Sequence, residues 1–159
     1  MPFTYSLPAS VSFRGKGMFG YTFGPLKQKK LEIYYIEAEK GHDTFIVSKR
    51  TTRAYYILSG SGYFTIDSER YPVEAGVLVE IPPRLEYSYS GKMTLLCISV
   101  PRWSKGNDAF TKWNPDVVAC DSCSIAADLP WWARLWKKAL ARIGSLNPIR
   151  SYVKVLHKD

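Results

Sequence analysis

Arg53 and Tyr55 stand two residues apart, and so do Tyr87 and Tyr89. On an extended strand side chains alternate between faces, so each pair shares one face. A guanidinium grips a carboxylate or phosphate through two parallel hydrogen bonds. A phenol offers an apolar face for a ring and a hydroxyl to orient it. Together with Lys49 or Ser48 from a neighbouring run, these residues would line a pocket for a polar or anionic, ring-bearing molecule. Glu37 joins the candidate set. In the competing reading Arg53 pairs with an interior carboxylate, Glu37 or Glu80, and the tyrosines fill a dry core, as small closed barrels often do.

Other chemistry is thinly supplied. The chain has two histidines, His42 and His157, and three cysteines, Cys97, Cys120 and Cys123. Cys120-Asp-Ser-Cys123 has no second pair and no βαβ context, so it reads as two loop thiols rather than a zinc or redox site. Cys97 falls in a strand and reads as core. Three cysteines suit a reducing, cytoplasmic setting better than a disulfide framework.

The elements that must position these residues are strands. Leu31–Glu39 alternates with apolar residues on both sides, as in a strand covered on two faces. Runs at 19–23, 44–49, 54–58, 63–67, 71–73, 77–81, 85–89 and 93–100 are β-branched or aromatic and are broken by Gly, Pro, Ser and Asp. A strand every eight to twelve residues with no helical period between is the pattern of a sandwich or barrel. Pro82-Pro83 marks an edge or corner. After Pro101 the residues to Asp128 read as mixed and loop-like. Asp128-Leu129-Pro130 then opens a helix over 130–143, with Trp132, Leu135, Trp136, Leu140 and Ile143 on one face and Arg134, Lys137, Lys138 and Arg142 around the rest.

At 159 residues and 46% hydrophobic, the chain can bury a real core. Its net charge of +8 is concentrated at the end. Residues 130–159 hold Arg134, Lys137, Lys138, Arg142, Arg150, Lys154 and Lys158 against Asp159 alone, so the barrel region is close to neutral. The basic balance is therefore poor support for nucleic-acid binding by the barrel, and no nucleic-acid partner is expected. No run approaches the length of a membrane span, and the first ten residues lack the pattern of a secretory signal. The basic helix at 130–143 can dock on the barrel or a second subunit through its Trp/Leu face, or lie on a membrane surface.

Two frames carry a resemblance. Gly41, Arg53 and Gly60 keep the spacing of the first cupin motif, G-x5-H-x-H-x3-E-x6-G, and Gly76, Pro82, Arg84, Tyr87 and Gly91 that of the second, G-x5-P-x-G-x2-H-x3-N. The stretch 31–103 resembles the cupin superfamily. The resemblance implies an all-β fold, the cupin-type double-stranded β-helix or jelly-roll barrel. Here it would have an N-terminal arm at 1–30 and a C-terminal amphipathic helical extension within 104–159. It also implies a homodimer through strand exchange. The family's metal positions read Val47, Lys49, Arg53 and Tyr87, or Ile46 and Ser48 for the first two with a longer gap. An arginine at the carboxylate position is a permanent cation where a metal ion would sit, so no metal or other cofactor is expected. A replacement metal site would have to come from Glu37, Glu39, His42, Asp43 or Glu86.

The resulting expectation is a metal-free cupin that binds a small molecule of the sugar or sugar-nucleotide type in its lumen, with Arg53, Tyr55, Tyr87, Tyr89, Lys49, Ser48 and Glu37 as contacts. Metal-free relatives suggest an alternative, a sugar isomerase or epimerase with Tyr87 as acid. With no histidine at a frame position, Glu37, Glu80, Glu86 or Lys49 would then be the base. A third reading is a non-catalytic accessory or sensor protein acting through its basic tail.

Overall fold

The computed structural model describes residues 4–118 and the backbone of a short strand at Val155–Leu156. The strands are β1 (Phe13–Arg14), β2 (Met18–Thr22), β3 (Glu32–Ala38), β4 (Thr44–Ser48), β5 (Thr52–Ile66), β6 (Glu69–Glu74), β7 (Leu78–Ile81), β8 (Glu86–Val100), β9 (Asp108–Trp113) and β10 (Val155–Leu156). All pairings are antiparallel. No helix occurs among the described residues, and the helix expected at 130–143 lies outside them.

Two long strands hold the architecture together. β5 and β8 pair along nearly their whole length, from Thr52 opposite Val100 to Ile66 opposite Tyr87. The first half of β5 and the second half of β8 belong to a sheet ordered β1-β2-β3-β8-β5-β7-β10. Their other halves are flanked by β6 on one side and by β4 and then β9 on the other. One continuous hydrogen-bonded surface thus curls around a single core. Ile57, Phe64, Val79 and Leu95 are fully buried in it, each burial contributing about 1.5–3 kcal/mol.

Sequence reading divided each long strand in two at its glycines. The structure keeps them continuous and bends them there. A register shift falls between Ile57 and Ser59, and Gly60 lies opposite Met93 and Gly62 opposite Gly91. Gly60 has φ +83°, and a Cβ on it would lie 2.1 Å from the Lys92 carbonyl oxygen. Only a residue without a side chain lets the two backbones meet so closely. The residues make a corner, not a turn.

β9 is a second departure. Asp108–Trp113 lies in the stretch expected to be loop, yet it pairs with β4 with a bulge at Phe45/Ile46. Its burial alternates, with Ala109 and Thr111 buried and Phe110 exposed. The strand is short and its alternation mixes Asp, Thr and Lys with the apolar residues, so local pattern alone understates it. Pairing with β4 decides it.

Candidate functional site

Strand parity sorts the candidates. Tyr55 and Ile57 on β5, Tyr87 and Tyr89 on β8, and Ile46 on β4 belong to the buried core cluster. Phe45 and Val47 are buried outside that cluster. The inward positions of β4 are therefore Ile46 and Ser48, the longer-gap register of the first frame. Lys49 is exposed and outside the lumen. On β3, Ile36 and Ala38 face the core, which turns Glu37 to the outer face. Glu80 is exposed on β7.

The structure brings Arg53, Ser48, Tyr87 and Tyr55 together. Arg53 is 7% exposed. Its Nη1 donates to Ser48 Oγ and, at 3.2 Å, to Tyr87 Oη. The Tyr87 and Tyr55 hydroxyls share a hydrogen bond of 2.8 Å. Nη2 donates at 2.5 Å to Asp108 Oδ2, in an ion pair whose side chains are 8% and 10% exposed. An interior carboxylate for Arg53 was foreseen, but as Glu37 or Glu80. The partner is Asp108, because β9 lies against β4 with Asp108 opposite Ser48. Ser48 Oγ also donates to Asp108 Oδ1 at 2.7 Å.

Tyr55 leads from this pole to a second one. Its ring centroid lies 5.9 Å from that of Tyr87 and 5.8 Å from that of Tyr89. The Tyr89 ring meets His42 edge-on at 5.7 Å. Tyr89 Oη is buried with no hydrogen-bond partner among the described residues. Burial raises the pKa of all three tyrosines, so they remain protonated hydroxyls at neutral pH.

His42 enters the sequence analysis only as a candidate for a replacement metal site, not as a contact in the lumen. Nδ1 lies 2.8 Å from the Thr44 carbonyl oxygen and 3.2 Å from the Thr44 amide nitrogen; it donates to the first in one neutral tautomer and accepts from the second in the other. In the tautomer protonated at Nδ1, the ring's lone pair lies on Nε2. Burial lowers the His42 pKa below its usual 6.5, against a weaker opposing pull from Asp43.

Asn114, missed in the sequence, fastens this pole. It is buried, and its Nδ2 approaches the His42 carbonyl at 3.1 Å, Ser88 Oγ at 2.9 Å and the Tyr89 carbonyl at 3.3 Å. His42 N donates to the Tyr89 carbonyl at 2.9 Å. A surface recess of about 680 Å³ lies elsewhere, lined by Tyr63, Arg70, Glu74, Ser90 and Asp116 among others, and holds none of the candidate residues.

Solved structures share this barrel. An RmlC-like cupin from Shewanella frigidimarina superposes with a TM-score of 0.51 at 18% identity, over 58% of this chain and 84% of its own. The chain has the cupin fold. KdgF from Halomonas matches this chain with a TM-score of 0.52 at 11% identity, over 60% and 88% of the two chains. Pac13 from Streptomyces, a nucleoside dehydratase, matches with a TM-score of 0.67 at 22% identity, over 73% and 96%. Pac13 structures with uridine include variants replacing a histidine by glutamine or a tyrosine by phenylalanine. At these identities the likeness concerns the fold. No protein-family profile matches the chain. An uncharacterized protein of Methanocaldococcus jannaschii is 35% identical over 54 residues, 31% of this chain and 43% of that protein. The chain thus matches less than half the length of that relative.

The metal that many cupins carry does not fit the residues here. The ligand positions hold Ile46, Ser48, Arg53 and Tyr87, with no imidazole and with one permanent cation. Among the described residues no three His, Cys, Asp or Glu side chains gather into a metal site. Cys97 is buried, and burial pushes its thiol up to about 11, so it stays protonated. No helix of the described residues is long and apolar enough to cross a membrane.

Proposed function

We propose that the lumen binds a polar, ring-bearing small molecule of the carbohydrate or nucleoside type, with Tyr89, His42 and Tyr55 as its principal contacts. The observation that carries this reading is the Tyr89 hydroxyl, buried without a hydrogen-bond partner among the described residues, on a ring that meets His42 edge-on. Buried polar groups nearly always find partners, and one left open in a native fold calls for a reason. A ligand hydroxyl or carbonyl supplies it. Tyr55, Ser48 and Tyr87 extend the polar wall toward Arg53. Support also comes from Pac13, whose uridine-bound variants alter one histidine and two tyrosines, the residue types gathered here as His42, Tyr55 and Tyr89.

The same pair favours turnover as a second reading. Dehydration needs a base to take a carbon-bound proton and an acid to release the departing hydroxyl as water. Neutral His42, in the tautomer with its lone pair on Nε2, suits the base. Tyr89, held protonated by burial, suits the acid. This assignment replaces the expected acid, Tyr87, whose hydroxyl is already engaged by Arg53 and Tyr55. It also replaces the expected bases. Glu37 and Glu80 face outward and Glu86 is bonded to Lys112 at 2.7 Å.

Thermal shift with uridine, sugar phosphates and nucleotide sugars tests the binding reading. Uridine at 100 times its Kd should stabilise the protein by roughly 2.7 kcal/mol. Loss of that shift in His42→Gln and Tyr89→Phe places the ligand at this pole. A shift of equal size in both variants refutes it.

A further inference from the structure

We propose that Asp108 sets the charge specificity of the lumen: by neutralising Arg53 it makes this barrel select uncharged ring-bearing ligands over their phosphorylated counterparts. The proposal rests on the lumen reading above and names which members of that ligand class are accepted.

An arginine grips an anion with both terminal nitrogens of its fork. In Arg53 both are occupied from within. Nη1 donates to Ser48 Oγ and Tyr87 Oη, and Nη2 to Asp108 Oδ2. Asp108 cannot readily swing aside, because its other oxygen accepts from Ser48 Oγ at 2.7 Å and from Asn107 Nδ2 at 3.2 Å. Asn107 is itself buried and donates at 2.7 Å to Thr51 Oγ1. The carboxylate is built in as the counter-ion, and a ligand phosphate at this end would meet it as a like charge in a poorly solvated place. At the other pole, the open Tyr89 hydroxyl and the His42 ring beside it are held uncharged by burial. They suit hydroxyls and carbonyls.

The test compares uridine, uridine 5′-monophosphate and inorganic phosphate on the full chain and on Asp108→Asn, by calorimetry and thermal shift. The wild type should bind uridine at least tenfold more tightly than the monophosphate. Asp108→Asn should narrow or reverse that ratio by tenfold or more, and phosphate alone should raise its melting temperature while leaving the wild type unmoved. A wild type that binds the monophosphate as tightly as uridine overturns the proposal, and so does an unchanged ratio in the variant. If the wild type binds neither nucleoside nor nucleotide, yet phosphate stabilises only Asp108→Asn, the nucleoside reading falls and the role of Asp108 stands. If phosphate also leaves the variant unmoved, both fall. Should Asp108→Asn fold poorly, the wild-type ratio decides alone.

Discussion

The Tyr89 hydroxyl is buried without a hydrogen-bond partner among the described residues, while its ring lies edge-on to His42, 5.7 Å between centroids. Tyr55 differs, because its equally buried hydroxyl is bonded to Tyr87 at 2.8 Å. One phenol is spent on the fold and the other is left open. That difference gives two otherwise identical substitutions opposite expected signs.

Tyr55→Phe should destabilise the free protein by about 1 kcal/mol, the usual net worth of a hydrogen bond. Tyr89→Phe should leave it unchanged or stabilise it by about 1–3 kcal/mol, because it removes an unsatisfied buried group. The same Tyr89→Phe should weaken uridine binding. Urea denaturation with calorimetry checks both. A clear loss of stability in Tyr89→Phe means the hydroxyl has a partner in the fold and is not held open.

The Arg53–Asp108 pair is expected to be far costlier to halve than to delete. Arg53→Met alone leaves a buried carboxylate and should cost about 3–5 kcal/mol. Arg53→Met combined with Asp108→Leu should recover most of that loss, because a buried pair and an apolar replacement are often close in stability. A double-mutant cycle on unfolding free energies measures the difference.

His42 should make the protein less stable in mild acid. Its folded pKa lies below the usual 6.5 because burial disfavours the imidazolium. The unfolded chain therefore binds the proton more readily. Stability contributed by neutral His42 is fully present above about pH 6.5 and is lost as pH falls through the folded pKa. Each unit of depression is worth about 1.4 kcal/mol. His42→Gln should flatten this part of the stability profile, measured by denaturation between pH 7.5 and 5. An equal acid slope in the variant assigns the effect to other groups.

Gly60→Ala should be among the most damaging small substitutions in the barrel. The added methyl would lie 2.1 Å from the Lys92 carbonyl oxygen, at a φ of +83°. The backbone strain alone is about 1–3 kcal/mol, and the clash adds to it. Gly76→Ala has a similar φ, +95°, with nothing within 4 Å of the new carbon, so it should suffer only the strain. The difference between their melting temperatures isolates the corner contact.

Asn114→Ala should loosen the His42–Tyr89 pole without touching the Arg53 pole. Asn114 is the shared clamp on the backbone of both residues. The variant should lose about 1–3 kcal/mol for the polar groups left open, and the His42 pKa should move back toward 6.5 by NMR titration. An unmoved His42 pKa limits Asn114 to a structural role.

Much of this protein is readable from spacing. Turn residues and alternation place most of the strands, while the placement of Arg53 and Tyr87 in one barrel is what the resemblance of the two glycine frames to the cupin motifs implies. The first holds because strand period and turn chemistry are local properties. The choice between Val47/Lys49 and Ile46/Ser48 as inward residues stayed open, because a shift of one residue exchanges the faces and both faces of β4 are apolar enough to be buried. The continuity of β5 and β8 was hidden too, because a glycine that bends a strand and one that ends it look alike until its partner is known.

Alternation and turn chemistry are enough for an all-β chain, and the likeness of its two frames to the cupin motifs implies that Arg53 and Tyr87 stand at metal-ligand positions. What those residues are free to do depends on the strands packed around them. The tertiary structure brings Asp108 from β9 onto Arg53, and it folds His42 from a turn against Tyr89, across 55 and 47 positions of chain. Such pairs are set by which strands lie side by side, and no local pattern records that. The arginine that announced an anion site is satisfied from within, and the open chemistry lies at the other pole.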